Sequence, residues 1–538
     1  MGRKIDVLIH NALVFDGSLA GPVRSSVGIG SDEIVYVGDA DLRGNADRVI
    51  EADGLALAPG FIDTHAHSDF TLLADPRAEG KLSQGITTEV NGNCGMSAGP
   101  LIGRALERRE EDLRELGIRE RWSTLQEYFA LVEQRGAGVN TANLVGHGNL
   151  RGSVVGYDDK RPSPEELTAM QRLLSDAVSS GAIGLSTGLI YPPGIYSDTA
   201  ELIELGRVLH EKDLIYTSHM RSEGTRLQEA VDEVIHIGRE AAIKVHISHI
   251  KTAGELNWHK ADAVISQLQL VRSEGLRLTC DRYPYIASST DLDSILPSWV
   301  FAGGNDDELR RLNDPSARRR IEEEIREQVS RPGYWSKIMV SGVGSESNRW
   351  MEGMTVEAIG SRLGTDGLSA FFRIVIEERL RVGAIFQSMH EGNLKKFLSQ
   401  PFCMIGSDSS ARCFDGPTAL GKPHPRTYGT FPRLFGKYVR EEQLLSLSEA
   451  VHKSTLLAAE TFGLKRRGRI KEGYFADLVI FDPDRIVDKA TFEKPFQRAE
   501  GIHSVFVNGV EAVSEGRLTG RLGGRVLRYG GTAMARLQ

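Results

Sequence analysis

At 538 residues the chain is too long for one ordinary domain of about 100–200 residues, unless a barrel of about 250 residues or more accounts for much of it. Hydrophobic residues make up 40% and charged residues 26%, the composition of a soluble globular protein with ample material for a core. The formal net charge of −8 is mild for this length and argues against nucleic acid or an anionic membrane as partner.

The chain opens as short strands. Residues 4–15 alternate and reach Asp16-Gly17, a turn signal; 26–30 and 33–38 predict a hairpin, and 48–54 a further strand and turn. From about residue 59 the texture changes. Strands predicted at 142–146, 214–218, 244–248 and 277–281 alternate with helices at 163–180, 199–211, 225–240 and 260–274. Ser163-Pro164-Glu165-Glu166 is a strong helix start, with a serine cap, proline in the first position and acids in the first turn. This rhythm predicts an α/β fold, a (β/α)8 TIM-type barrel over residues 59–467. The charge-rich stretch 304–326 predicts a solvated helical insertion, bounded near 291–350. After about residue 467 strands return, one of them ending in Asn508-Gly509, a hairpin signal. Residues 1–58 and 468–538 are expected to pair as a small β-sandwich beside the barrel.

The start of the chain shows no apolar run typical of a signal peptide, and no uninterrupted stretch of about 18 apolar residues offers a membrane span. A cytoplasmic location is therefore expected, with the thiols of Cys94, Cys280, Cys403 and Cys413 free unless a metal uses one.

The chemistry concentrates at strand ends. In Pro59-Gly-Phe-Ile-Asp-Thr-His65-Ala-His67 the two histidines are two apart, so on a strand they face one side and can grip one divalent metal. His219 and His249 each close an apolar strand and lie 30 residues apart, about one βα unit, which aims both into the mouth where barrel enzymes work. Asp408 closes another apolar strand. Cys94 lies in a Gly-rich loop after a strand and reads either as a zinc-binding thiolate or as a small buried residue, the commoner role of a lone cysteine. His246, mid-strand, reads as packing, and His147 as a neighbour of the site.

These residues, together with Asn91-Gly-Asn-Cys-Gly95, Leu185-Ser-Thr-Gly-Leu189, Ser248-His-Ile-Lys251, Tyr283-Pro-Tyr285, His424-Pro-Arg426 and Gly429-Thr-Phe-Pro-Arg433, make the chain resemble the amidohydrolase superfamily. Within it, the resemblance is to the D-aminoacylases (N-acyl-D-amino-acid deacylases), over essentially the whole length. It implies a zinc-dependent hydrolase that cleaves the amide of a small-molecule N-acyl-D-amino acid. In that family pattern Cys94, His219 and His249 would hold a tight zinc, and His65 and His67 would border a second, weaker metal position. Asp408 would be the general acid/base. Lys251, Tyr283, Ser289 and Arg426 would grip the substrate carboxylate, with Tyr191 also in the pocket.

Two departures stand out. The segment 409–423 is longer than the typical pattern and is expected near the site; residues 290–299 hold no cation, where the resemblance implies an arginine in members selective for acidic side chains, which favours an apolar or neutral substrate side chain. Three alternatives remain at this point: a hydantoinase- or dihydroorotase-like cyclic amidase, a deacylase of another N-acyl amine, and a non-catalytic scaffold. The first needs a carboxylated lysine on a middle strand, whereas the one lysine between Cys94 and His210 is Lys160, in a loop. The sequence leaves the oligomeric state open.

Overall fold

The computed structural model describes residues 4–329 and 333–530. The outermost residues of the expected small domain, 1–3 and 531–538, and residues 330–332 of the insertion lie outside the described residues.

Both ends of the chain share one nine-stranded sheet. Ile5–Val14 pairs antiparallel with Val23–Gly30 and parallel with Ala46–Glu51 and Ala56–Pro59. Ala56–Pro59 in turn pairs with Leu478–Phe481, which continues through Ile502–Val507 to Val510–Ser514. The chain then leaves this sheet: Val526–Leu527 pairs in parallel with Asn140–Asn143. The expected boundary at 468–538 therefore divides differently, because the last described strand completes a parallel sheet.

The parallel strands form two sheets. One holds Phe61–Asp63, Ile86–Asn91, Asn140–Asn143 and Val526–Leu527; the other runs from Val145–Gly146 through Gly184–Gly188, Ile215–His219, Lys244–Ile247 and Leu278–Arg282 to Cys403–Ile405. Their residues are almost all buried, as expected of parallel strands covered on both faces. Across the remaining gap, Thr64 N–H donates to Ile405 O at 3.3 Å and Ala66 bridges Ser409 in parallel.

Helices fall between strands where the pattern placed them. Pro164–Ser179 starts on a Ser163–Glu166 capping box, and Thr199–His210 on an Asp198 cap. Asn140, Asp477 and Asn508 join the nine-stranded sheet to the parallel strands: Asn140 Nδ2 donates to Asp477 at 3.1 Å and Asn508 Nδ2 to Asn140 at 2.7 Å. Beneath the first parallel strand, Phe61 stacks on Phe431 at 5.4 Å and Phe435 at 4.9 Å, each contact contributing about 0.5–1.5 kcal/mol beyond its buried area.

The insertion corrects the expectation of a solvated helical element near 291–350. It runs from Ala287–Asp291 to Val382–Gln387, which pair antiparallel, and Ile338–Val343 adds a third strand. Leu292, Val300, Ile321, Ile325, Phe371 and Phe372 build a core of its own. The charge-rich helices Asn305–Asn313 and Pro315–Gln328 displayed their wet faces in the sequence, and the apolar residues that anchor them are too sparse there to reveal a core. Among the described residues no helix is long and apolar enough to cross a membrane.

Candidate functional site

A cavity of about 330 Å³ opens where the parallel strands end, and it gathers side chains from distant parts of the chain. His67, Cys94, His219, His249, Lys251, Tyr283, Ser289, Asp408, Arg426 and Tyr191 all line it. His65 lies just behind, fully buried, its Nε2 3.2 Å from Cys94 Sγ.

Local backbone geometry builds this cluster. Cys94, His249 and Asp408 adopt left-handed φ values of 53°, 36° and 51°. Such values are uncommon outside glycine and concentrate at functional sites, where surrounding contacts hold them. The Cys94 loop is wedged tightly: a Cβ on Gly92, whose φ is +76°, would lie 2.2 Å from Leu144 O. Only glycine allows that approach.

The donors interleave. Cys94 Sγ lies 3.4 Å from His249 Nε2, and three overlapping groups form: His65 with Cys94 and His249, His65 with His67 and Asp408, and His219 with Glu223 and His249. Burial opposes ionisation of the Cys94 thiol, but the imidazoles of His65 and His249 outweigh it and hold the thiol well below its ordinary range. Both ring nitrogens of His219 are buried with no hydrogen-bond partner. A buried thiol that ionises readily, clustered imidazoles and an orphaned histidine suit zinc, which takes sulfur and nitrogen ligands.

Around the donors sit groups that orient them. Asp281 accepts from the His249 backbone N–H at 2.7 Å and lies 3.4 Å from His65 Nδ1, and His246 Nε2 bonds it at 2.7 Å. His246 thus does more than pack: it holds the carboxylate that lies against His65 and fixes the His249 backbone. Glu223 sits 2.9 Å from His249 Nδ1 and pairs with Lys251. Burial favours the neutral form of Glu223, but the Lys251 ammonium holds it below the usual carboxylate range. Asp281 was legible by the rule that found Asp408, a carboxylate closing an apolar strand; Glu223 and His246 carried no such signal.

Asp408 meets His67 Nε2 at 3.2 Å and Arg426 at 2.8 Å. Burial would raise its pKa, yet the Arg426 guanidinium and neighbouring imidazoles hold it well below the ordinary value. Arg426 also donates to Ser289 O at 3.3 Å and lies over the Tyr283 ring, 4.6 Å from its centre. Its backbone N–H donates to His424 Nδ1 at 3.0 Å while His424 Nε2 bonds Ala287 O at 3.0 Å, which fixes one neutral tautomer. Tyr283 Oη is buried without a partner, and Tyr191 Oη bonds Thr290 at 2.9 Å.

His147 bonds Glu201 at 2.8 Å, and Arg151 pairs with the same carboxylate; these contacts tie the helix His147–Val154 to Thr199–His210. Segment 409–423 starts beside the site, where Ser409 O accepts from the His67 N–H at 3.1 Å, but no residue of it lines the cavity, and its far end packs on the insertion, where Lys422 N–H donates to Ser341 O at 2.6 Å. The cavity's far wall is charged instead: Arg108 and Arg109, from the helix Arg104–Glu115, face Asp291 and Asp293. Cations absent after Ser289 thus arrive from another element.

Comparison with known proteins agrees with this geometry. The amidohydrolase family model matches residues 48–281 and 325–513. An N-acyl-D-glutamate deacylase of Alcaligenes xylosoxydans xylosoxydans is 36% identical over 98% of this chain and 97% of its own, and a D-aminoacylase of the same organism is 36% identical over 98% of each. Among solved structures, an N-acyl-D-glutamate deacylase from Bordetella bronchiseptica, complexed with zinc and a phosphonate mimic of the tetrahedral intermediate, superposes with a TM-score of 0.82 at 33% identity, covering 98% of this chain and all of that one. On the family model and these full-length relatives together, the chain belongs to the amidohydrolase family.

Proposed function

We infer that this protein is a zinc-dependent hydrolase of N-acyl-D-amino acids, releasing a carboxylate and the free D-amino acid. The observation that carries the inference is the meeting, in one cavity, of a zinc-type donor cluster, Asp408, and the paired cations Lys251 and Arg426. Relatives named as N-acyl-D-glutamate, N-acyl-D-aspartate and D-aminoacylase enzymes, each 36% identical over nearly the full chain, support the same chemistry.

Cys94, His219 and His249 would hold the metal, and His65 and His67 would border a second position beside it. A bound zinc supplies Lewis acidity toward the amide carbonyl. Asp408 takes a proton from the attacking water as oxygen bonds to the carbonyl carbon. It then delivers that proton to the amine nitrogen as the C–N bond breaks. General acid/base action of this kind contributes about 10²–10⁴-fold. Arg426, Lys251, the Tyr283 hydroxyl and Ser289 receive the α-carboxylate, and two-pronged pairing with Arg426 fixes which face of the α-carbon meets Asp408. The charged far wall favours a polar side chain over an aliphatic one.

The architecture we propose is a (β/α)8 barrel over 59–467, to whose sheet Val526–Leu527 adds a strand, flanked by a small β domain from both chain ends. The bridge between Ala66 and Ser409 supports closure. The cyclic-amidase alternative finds no support in Lys160, which pairs with Glu166 at 2.8 Å in an exposed loop. Free thiols at all four cysteines support a cytoplasmic protein.

The test is hydrolysis of paired N-acetyl-D- and N-acetyl-L-amino acids with zinc assayed in parallel. D-selective turnover by zinc-loaded protein is expected. A zinc-loaded protein inert on every pair would overturn the assignment.

A further inference from the structure

Lys81 lies in the short helix Glu79–Leu82 and is completely buried. Its ammonium meets four acceptors within 3.0 Å: Asp63 Oδ2 at 2.8 Å, Glu89 Oε1 at 2.9 Å, Ser407 Oγ at 2.9 Å and Ser409 O at 2.9 Å. Those four belong to three separate parts of the fold. Asp63 ends the strand that leads to His65 and His67, Glu89 lies on the neighbouring strand, and Ser407 and Ser409 flank Asp408.

The flanking residues are fastened further. Asp63 accepts from the Ser407 N–H at 2.7 Å and its hydroxyl at 2.5 Å. Glu89 accepts from Ser68 Oγ at 3.0 Å, and Ser68 Oγ accepts from Ala411 N–H at 2.6 Å. Between these anchors, Asp408 is held at its left-handed φ of 51°, its own N–H donating to His65 O at 2.8 Å. A buried ammonium has three protons and no water to turn to, so its geometry is set wholly by these acceptors. Burial would strip Lys81 of its charge, but Asp63 and Glu89 outweigh this and raise its pKa.

We propose that Lys81 is a positioning residue for the reaction: by gripping both neighbours of Asp408, the strand that leads to His65 and His67 and the strand beside it, it sets the acid/base against the metal-facing histidines. It touches no substrate and no reacting atom. This rests on the deacylase reading for its catalytic consequence, but the clamp itself is a property of the fold.

The test uses the zinc-loaded full chain with two variants. Lys81→Met removes the cation; Ser407→Ala leaves the buried charges matched and deletes only one rung, which covers the case in which Lys81→Met fails to fold. In each folded variant kcat is expected to fall about 10- to 100-fold, the scale of an approximately 1 Å misplacement, while KM and zinc content hold. Lys81→Arg, which keeps the charge, should regain part of the loss. Independently of any substrate, amide exchange over residues 406–411 should speed up about tenfold or more with the rest of the chain unchanged. Wild-type kcat together with unchanged exchange in folded Ser407→Ala would overturn the clamp. A wild-type enzyme inert on all N-acyl-D-amino acids would fail the deacylase reading, and the exchange measurement would still decide the clamp.

Discussion

Asp408→Asn offers the sharpest test of the proposed chemistry. Asparagine keeps the side chain's size and tolerates the left-handed backbone that Asp408 adopts at φ 51°, so the change adds little strain. What it removes is the ability to accept and return a proton. Loss of that role costs about 10²–10⁴-fold in rate, or about 3–5 kcal/mol in barrier. A second effect runs alongside: Asp408 is the ion-pair partner of Arg426 at 2.8 Å, and both side chains are mostly buried, at 12% and 5% exposure. Removing one partner of a buried pair costs up to about 3–5 kcal/mol of stability, softened here by the amide oxygen that still faces the guanidinium. The assay is kcat and KM on an N-acetyl-D-amino acid, with zinc per chain and the melting temperature measured on the same preparation. The expected result is a loss of kcat of at least about a hundredfold, near-normal zinc and a melting point lower by a few degrees. A folded, zinc-loaded Asp408→Asn enzyme within threefold of wild-type kcat would refute the assignment of Asp408, and the acid/base would have to be sought among His67 and Glu223.

Other expectations are equally specific. Chelation should abolish turnover and added zinc restore it; activity unaffected by stripped metal would remove zinc from the mechanism. Gly92→Ala forces a methyl group to within 2.2 Å of Leu144 O at a φ of +76°, so it should cost about 1–3 kcal/mol and lower zinc per chain by displacing Cys94, a result read by calorimetry and metal analysis. At the far wall, burial and the charge of Asp291 push the Asp293 carboxyl up to about 7, so that wall grows more negative as pH rises through neutrality. The kcat/KM ratio of N-acetyl-D-lysine to N-acetyl-D-leucine should therefore rise between about pH 6 and 8 and flatten in Asp293→Asn; a flat wild-type ratio would count against the charged wall as a selectivity element. For Glu201, burial is outweighed by His147 and Arg151, which hold its pKa below the unfolded value. The stability it contributes is thus present above the unfolded carboxylate pKa of about 4.3 and lost as pH falls through the lower folded value. Glu201→Gln should weaken that acid-side slope in thermal melts, and an unchanged slope would show that the pair carries no such linkage.

Much of the site was legible because its residues obey a local rule. A polar residue at or just beyond the end of an apolar strand is announced by the strand itself, and His65, His67, His219, His249 and Asp408 all follow that pattern. Helix starts such as Ser163-Pro164 are equally local, since capping involves residues three apart. The insertion was harder. Its strands Ala287–Asp291 and Val382–Gln387 pair across about ninety intervening residues, and no local period records such a partner.

The sequence alone therefore determined the alternation of strands and helices, the donor residues at the strand ends and the family resemblance they carry. The tertiary structure decided which charges meet. It put Arg108 and Arg109 opposite Asp291 and Asp293, set His246 behind Asp281, and buried Lys81 among Asp63, Glu89 and the neighbours of Asp408. The physical reason is range. Hydrophobic periodicity and capping act over a few residues along the chain, whereas the partner of a buried charge is chosen by whatever the fold brings within about 4 Å.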